Sequence, residues 1–240
     1  PARTQRTPPV PLEEAKQALS FHAVLDACTN DTLALIPIEP LVGFLRAPRT
    51  HCYPAGRNAH WALQRDKNYL IPSWRGDVWP RGPASAFLFD LGASLYNKGP
   101  GGASTSWFVN EYQARGIRFD RIFAWEAKPH DDAEIFASAP NAIADRMSYY
   151  NVPVDARVGA KHNPWRTLKA VATPRDFVVV KIDIDNSSIE EPLASQLLAD
   201  AALAGLVDEL YFEHHVLHTP MWRFGWHINT VTNQTLVDSY

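Results

Sequence analysis

Long apolar runs are missing from this 240-residue chain. No stretch approaches the ~20 consecutive apolar residues of a membrane-spanning helix, so no span is expected. An excess of one charge is missing too. Lys and Arg number 23 against 26 Asp and Glu, for a formal net charge of -3, with both signs mixed along the chain. That excludes the basic stripe that neutralises nucleic-acid phosphates, and nucleic acid is not an expected partner. Cysteine is scarce. Cys28 and Cys52 stand alone; two cysteines permit one disulfide and prove none, and neither lies in a CxxC or Cys/His cluster of the zinc-knuckle kind. The Gly-x-Gly-x-x-Gly fingerprint of dinucleotide binding is absent, and no Tyr-x-x-x-Lys pattern stands out. There is no internal repeat. No signal-peptide pattern opens the chain, although residue 1 is Pro, which leaves open a targeting segment ahead of it. The sequons at Asn30, Asn186 and Asn233 carry meaning only in a secretory compartment. Cytoplasm and secretory lumen both remain open for a chain expected to be soluble, and its oligomeric state is not legible.

What is present is enough apolar material, 46% of residues, for one α/β domain with an elaborated end. Residues 1–85 read as an N-terminal extension and cap. The first dozen are rich in Pro and Arg and read as a flexible lead-in. Leu12 to Cys28 has helical spacing, and Leu33 to Ile38 is a short apolar run. Residues 46–83 hold Trp61, Tyr69, Trp74 and Trp79 and are too aromatic for a disordered linker. Two readings stay open: a cap packed on the domain that could line a substrate cleft, or aromatics that simply pack an irregular segment.

The domain itself is expected over residues 86–240. The organising stretch is Phe87-Leu88-Phe89-Asp90-Leu91-Gly92-Ala93-Ser94. A buried-strand run ends in an acid, a glycine and small residues. A loop with Gly99, Gly101 and Gly102 follows, then a helix over about 105–115. This reads as strand, tight turn and helix N-terminus. Arg121–Trp125 is the second strand, ending in Glu126. Pro129 and Asp131-Asp132 open a helix, and Tyr149–Val154 is read as the third strand. Phe177–Ile184, with five β-branched residues, is the strongest strand. Residues 189–206 form one helix, and Val207–Phe212 is the last strand, running into Glu213-His214-His215. Strands alternating with helices imply a mostly parallel, doubly wound sheet, a Rossmann-like α/β fold.

Asp90, Glu126, Asp183, Asp185 and Glu213 all fall at strand ends. A parallel sheet gathers such ends on one edge, where ligands bind. An acid after the second strand can accept both hydroxyls of a ribose. Glu213-His214-His215-x-x-His218, with Asp183 and Asp185, also permits a divalent ion. Adjacent histidines on a strand face opposite sides, however, so at most one joins the acids. No metal ligands are assigned, and a divalent metal is allowed without being required. His51, His60, His130, His162 and His227 show no ligand spacing and read as surface or cap residues.

Asp90-Leu91-Gly92-Ala93-Ser94, Trp125-Glu126-Ala127-Lys128-Pro129, Lys181-Ile182-Asp183-Ile184-Asp185 and Tyr211-Phe212-Glu213-His214-His215 follow one another on successive elements. In that order they resemble a class I S-adenosylmethionine methyltransferase, and they are most similar to the FkbM family. The resemblance covers roughly residues 86–216. It implies S-adenosyl-L-methionine as cofactor and O-methylation of a sugar, glycan or other small-molecule hydroxyl. It also implies that Asp90, Gly92, Ala93 and Ser94 form the cofactor turn at the methionine part, that Glu126 holds the ribose, and that Asn151 lies near the adenine. Asp183 would face the transfer site, with Asp185 and His215 as further candidate bases. The sequence departs from the family in four ways: a Gly-Ala-Ser turn, a long loop at 96–102, Asp183-Ile184-Asp185-Asn186 with Asp where the family often has Glu, and only 25 residues after His215. That tail is short for the helix and two antiparallel strands that close such sheets, though Phe224–Asn229 could supply one piece. Two other readings compete: an inactive methyltransferase-like binding module, and a nicotinamide-dependent oxidoreductase.

Overall fold

The computed structural model describes residues 21–25, 32–37, 71, 83–97 and 104–216. The chain divides into two compact units, Pro1–Gly82 and Pro83–Tyr240. The Pro- and Arg-rich lead-in, the four cap aromatics, both cysteines, the sequons at Asn30 and Asn233, the glycine-rich loop and Phe224–Asn229 lie outside the described residues.

In the first unit, β1 (Phe21–Leu25) pairs antiparallel with β2 (Thr32–Pro37). The helical spacing read over 12–28 is therefore wrong at Phe21–Leu25. Five residues holding Phe, Val and Leu fit either period, and the apolar run at 32–37 supplies the strand partner that decides between them.

In the second unit, five strands form an all-parallel sheet in the order β5-β4-β3-β6-β7. They are β3 (Ala86–Leu91), β4 (Arg121–Trp125), β5 (Met147–Tyr150), β6 (Phe177–Ile182) and β7 (Glu209–Phe212). Helices join them: α1 (Thr105–Ala114) follows β3, α2 (Asp132–Ala137) and α3 (Asn141–Ala144) follow β4, and α4 (Pro164–Val171) precedes β6. α5 (Ser187–Ala199) and α6 (Ala201–Ala204) lead into β7. The expected α/β, parallel-sheet architecture is observed. The order reverses between β3 and β6, which makes their carboxyl ends the topological switch point, where open α/β sheets bind ligands.

β3 and β6 are buried along their whole length, as the continuous apolar runs of a covered parallel sheet require. Alternate residues share a face. Phe87, Phe89 and Leu91 pack with Phe123, Trp125, Val178, Val180 and Ile182, and α4, α5 and α6 cover them with Trp165, Leu168, Leu193, Leu197 and Leu203. Phe89 stacks on Phe123 at 4.8 Å, and Trp125 on Tyr150 at 4.6 Å.

Several boundaries differ from the sequence reading, among them β7, which begins at Glu209 rather than Val207. β5 starts and ends earlier than 149–154, because Met147–Tyr150 is the stretch in register with Ile122–Trp125, and the following Asn151 is bonded to the loop after β4. β6 ends at Ile182, so Asp183 begins the loop rather than closing the strand. The single helix read over 189–206 is two. Asp200 interrupts it, and its Oδ1 accepts from the N–H groups of Ala202 and Leu203 to cap α6.

Candidate functional site

Register sets the centre of the site. Asp90 on β3 lies directly beside Lys181 on β6, so both side chains leave the same face of adjacent central strands. Lys181 Nζ donates to Asp90 Oδ1 at 2.9 Å and to the Gly92 carbonyl at 2.9 Å. It also lies 3.4 Å from Asp183 Oδ2. The second Asp90 oxygen accepts from the Thr105 hydroxyl at 2.6 Å, at the first residue of α1. Burial draws the Lys181 ammonium toward a lower pKa, but Asp90 and then Asp183 outweigh it, and the group lies above the ordinary lysine value. Lys181 pairs fully inside the sheet.

Gly92 follows with φ +87°. A Cβ there would stand 1.8 Å from the carbonyl oxygen of Asp183. The glycine is thus required by the close approach of the loop after β6 as well as by its backbone angle. Gly92 N–H and Ala93 N–H both donate to Trp125 O, at 3.0 and 2.9 Å. Ser94 N–H donates to Glu126 Oε2 at 2.9 Å, with Ser94 itself at φ +50°. All three N–H groups of the turn are therefore directed at the end of β4. Glu126 Oε1 accepts from Lys128 N–H at 2.6 Å, and each carboxylate oxygen keeps a further lone pair. Tyr149 donates to the Ser94 carbonyl at 2.7 Å. Burial first, then Glu126 and Asp90, raise the pKa of its phenol, which holds it as a neutral donor.

Asn151 sits one residue past β5. Its amide donates to the carbonyls of Glu126 and Lys128, at 2.9 and 2.6 Å, and its oxygen accepts from His130 N–H at 2.8 Å. It shapes the loop after β4, and its two amide hydrogens are both engaged.

On the other side of the switch point, Asp185 has φ +60°. Its Oδ1 lies 3.3 Å from Nε2 of His215, which has no exposed surface. Nδ1 of His215 lies 3.1 Å from Glu190 Oε2, and Glu190 Oε1 accepts from Ile184 N–H at 2.7 Å. Burial lowers the imidazole pKa, but hydrogen bonds with Asp185 and Glu190 and the charges of Glu190 and Glu213 raise it to about 10. His214 and His215 lie past the end of β7, so strand alternation does not separate them. His214 Nε2 lies 3.7 Å from Glu191, and both rings turn toward α5.

The strand ends thus bring together Asp90, Gly92, Ala93, Ser94 and Glu126, and separately Asp185 with His215. Asp183 is coupled to Lys181, on the β3 side. Three participants escaped the sequence reading: Thr105, Tyr149 and Glu190. Glu190 carries the weakest signal, an acid in the first turn of a helix, where exposure is the rule. Among the described residues no group of three His, Cys, Asp or Glu side chains is arranged to hold a metal ion, and no helix is long and apolar enough to cross a membrane. No protein-family model matches the chain, and no curated protein and no solved structure matches it either.

Proposed function

We propose that this chain is an S-adenosylmethionine-dependent O-methyltransferase of the class I kind, similar to the FkbM family, acting on a hydroxyl of a sugar, glycan or other small molecule. One observation carries the reading: the turn after β3 and the acid after β4 form one hydrogen-bonded unit at the switch point, with no N–H of the turn left for a phosphate. A dinucleotide is held through its pyrophosphate on free backbone N–H groups at this point. An edge rich in carboxylates instead suits a cationic sulfonium and a ribose. Glu126 would take the ribose hydroxyls on its remaining lone pairs. The turn at Asp90–Ser94 would lie beside the amino-acid part.

When bound, the sulfonium supplies an electrophilic methyl group. The chain's part is to hold an oxygen nucleophile in line and to receive its proton. Asp185 is the most exposed carboxylate of the three candidate catalytic residues, with a side chain 57% exposed. It would meet the hydroxyl, while His215 acts through it and Asp183 borders the reacting atoms from the Lys181 side. A divalent metal has no part in this reading; turnover lost with a chelator and restored by magnesium or manganese would add one.

A second reading, a methyltransferase-like module that binds without turnover, is favoured by the same geometry. Asp90 and His215 have no exposed surface, so two of the expected site residues are closed to a ligand. Calorimetry and melting with S-adenosylmethionine, S-adenosylhomocysteine and NADH separate the alternatives. The adenosyl ligands should bind and NADH should not. Glu126→Ala should weaken adenosyl binding by about 1–3 kcal/mol. Binding with no methyl transfer across a panel of hydroxylated acceptors selects the module, and no heat from either adenosyl ligand removes both readings.

A further inference from the structure

We propose that Glu190 is the positioning residue of this edge: from the first turn of α5 it fixes the His215 ring and the loop after β6 together, so that the ring steadies the exposed carboxylate of Asp185. This rests on the methyl-transfer reading above, in which Asp185 meets the acceptor hydroxyl. An acid in the first turn of a helix ordinarily stays at the surface, where it favours the helix dipole. Glu190 is 1% exposed instead. Burying a carboxylate is costly unless partners replace its water. Its partners are specific. Oε1 accepts from Ile184 N–H at 2.7 Å, and Oε2 lies 3.1 Å from Nδ1 of His215.

These two contacts join separate pieces of chain. Ile184 directly precedes Asp185, whose φ of +60° lies in the left-handed region. His215 comes from the segment past β7. Its ring has no exposed surface, and Nε2 lies 3.3 Å from Asp185 Oδ1. A carboxylate beside each ring nitrogen calls for a proton on each, so the geometry suits the imidazolium. Both oxygens of Glu190 are engaged inside the protein. The Asp185 side chain, 57% exposed, is the member of the series that a solute can touch. Glu190 therefore acts through His215 and not on a substrate.

Replacing Glu190 by Gln separates charge from shape. The Ile184 N–H can only donate, so the introduced amide turns its oxygen toward it. The amide NH2 then faces Nδ1, and two donors cannot share that contact. Nδ1 has to lose its proton and accept. Nε2 keeps its proton on the Asp185 side, and the ring becomes neutral. Among the described residues, the charged groups that act on this ring are Asp185 after β6, Glu190 on α5 and Glu213 after β7. The first and third stay unchanged, so the substitution reads the Nδ1 contact alone.

The experiment compares the full wild-type chain with Glu190→Gln by 15N NMR at pH 8, by calorimetry with S-adenosylhomocysteine, and by methyl transfer from S-adenosylmethionine to a panel of hydroxylated acceptors. Wild type should show both His215 nitrogens protonated. Glu190→Gln should show Nδ1 bare and Nε2 protonated. Its affinity for S-adenosylhomocysteine should stay within about twofold of wild type, while kcat falls about tenfold or more, because a histidine in the wrong protonation state no longer supports the group that takes the proton. Both nitrogens still protonated in Glu190→Gln, or an unchanged kcat, overturns the positioning role and leaves the methyl-transfer reading standing. No methyl transfer by wild type to any acceptor, with the resonances as expected, overturns the methyl-transfer reading alone. If Glu190→Gln fails to fold, the wild-type ring decides. A proton on Nδ1 in slow exchange with water supports the hold of Glu190 on His215, and a bare Nδ1 overturns it.

Discussion

Replacing Lys181 by Met tests the centre of the sheet most directly. The substitution keeps an unbranched apolar stem of similar length and removes only the ammonium. In the wild type that ammonium touches Asp90 Oδ1 at 2.9 Å, Gly92 O at 2.9 Å and Asp183 Oδ2 at 3.4 Å. Without it, Asp183 can turn to water, since its side chain is partly exposed. Asp90 cannot. It has no exposed surface, and its one other described side-chain partner is the Thr105 hydroxyl. Removing one partner of a buried pair leaves an uncompensated charge and costs about 3–5 kcal/mol. Set against a total stability of about 5–15 kcal/mol for a domain, that is a large fraction. Replacing both partners removes the stranded charge, so Lys181→Met with Asp90→Asn should recover a good part of the loss, with a coupling of about 1–3 kcal/mol.

Urea unfolding of the wild type, both single variants and the double variant measures the cycle, with midpoints compared at constant slope. The pH dependence carries a sign. The folded-state pKa of Lys181 lies above its ordinary 10.5, so its contribution is complete below that value and fades only as pH rises beyond it. The Lys181→Met deficit should therefore be the same at pH 7 and pH 9. A Lys181→Met protein within about 0.5 kcal/mol of wild type, a change no larger than an ordinary surface substitution, would refute the claim that Asp90 depends on this cation.

Three further outcomes follow from the same geometry. Gly92→Ala combines a φ of +87° with a Cβ 1.8 Å from a backbone oxygen, and should cost about 3 kcal/mol or more by denaturant melting; a variant as stable as wild type would mean that the two loops do not approach as described. Val179→Asp puts a carboxylate at a position with no exposed surface in β6 and should abolish soluble expression, whereas a soluble, cooperatively melting product would contradict a central strand. His215, with a pKa raised to about 10 by Asp185 and Glu190, should stay doubly protonated at pH 8 in 15N NMR. Its contribution to stability should be complete below about 6.5 and decline up to about 10, and an imidazole titrating near 6.5 in the folded protein would show that the two carboxylates do not hold it.

The sequence exposed those features whose cause is local. Val178, Val179 and Val180 announce β6 because β-branched residues without polar alternation suit a strand covered on both faces. Asp90-Leu91-Gly92 announces the turn because an acid and a glycine close an apolar run. Features that depend on which strands are neighbours were harder to see. The pairing of Asp90 with Lys181 needs β3 and β6 side by side, 91 residues apart in the chain, and nothing in either strand encodes that adjacency. Glu190 was missed for a related reason: its partner His215 lies 25 residues away, beyond a strand. The helical spacing at 12–28 misled because Phe21–Leu25 is too short to fix a period, and a strand partner overrode it. The backbone bonds of Asn151 to the carbonyls of Glu126 and Lys128 join separate segments and left no local pattern to read.

The two ion clusters at the switch point share one plan. Lys181 lies between Asp90 and Asp183, and His215 lies between Glu190 and Asp185. In each cluster the cation and one carboxylate are buried, and the second carboxylate reaches the surface. Each cation is set against one buried acid and one toward the surface. The two outer members, Asp183 and Asp185, are two residues apart on the loop that leaves β6. Both bases are fixed in their charged forms at neutral pH, one far above its ordinary range and the other at a pKa of about 10. Neither is poised to accept a further proton. The proton-accepting capacity at this end of the sheet therefore belongs to the carboxylates.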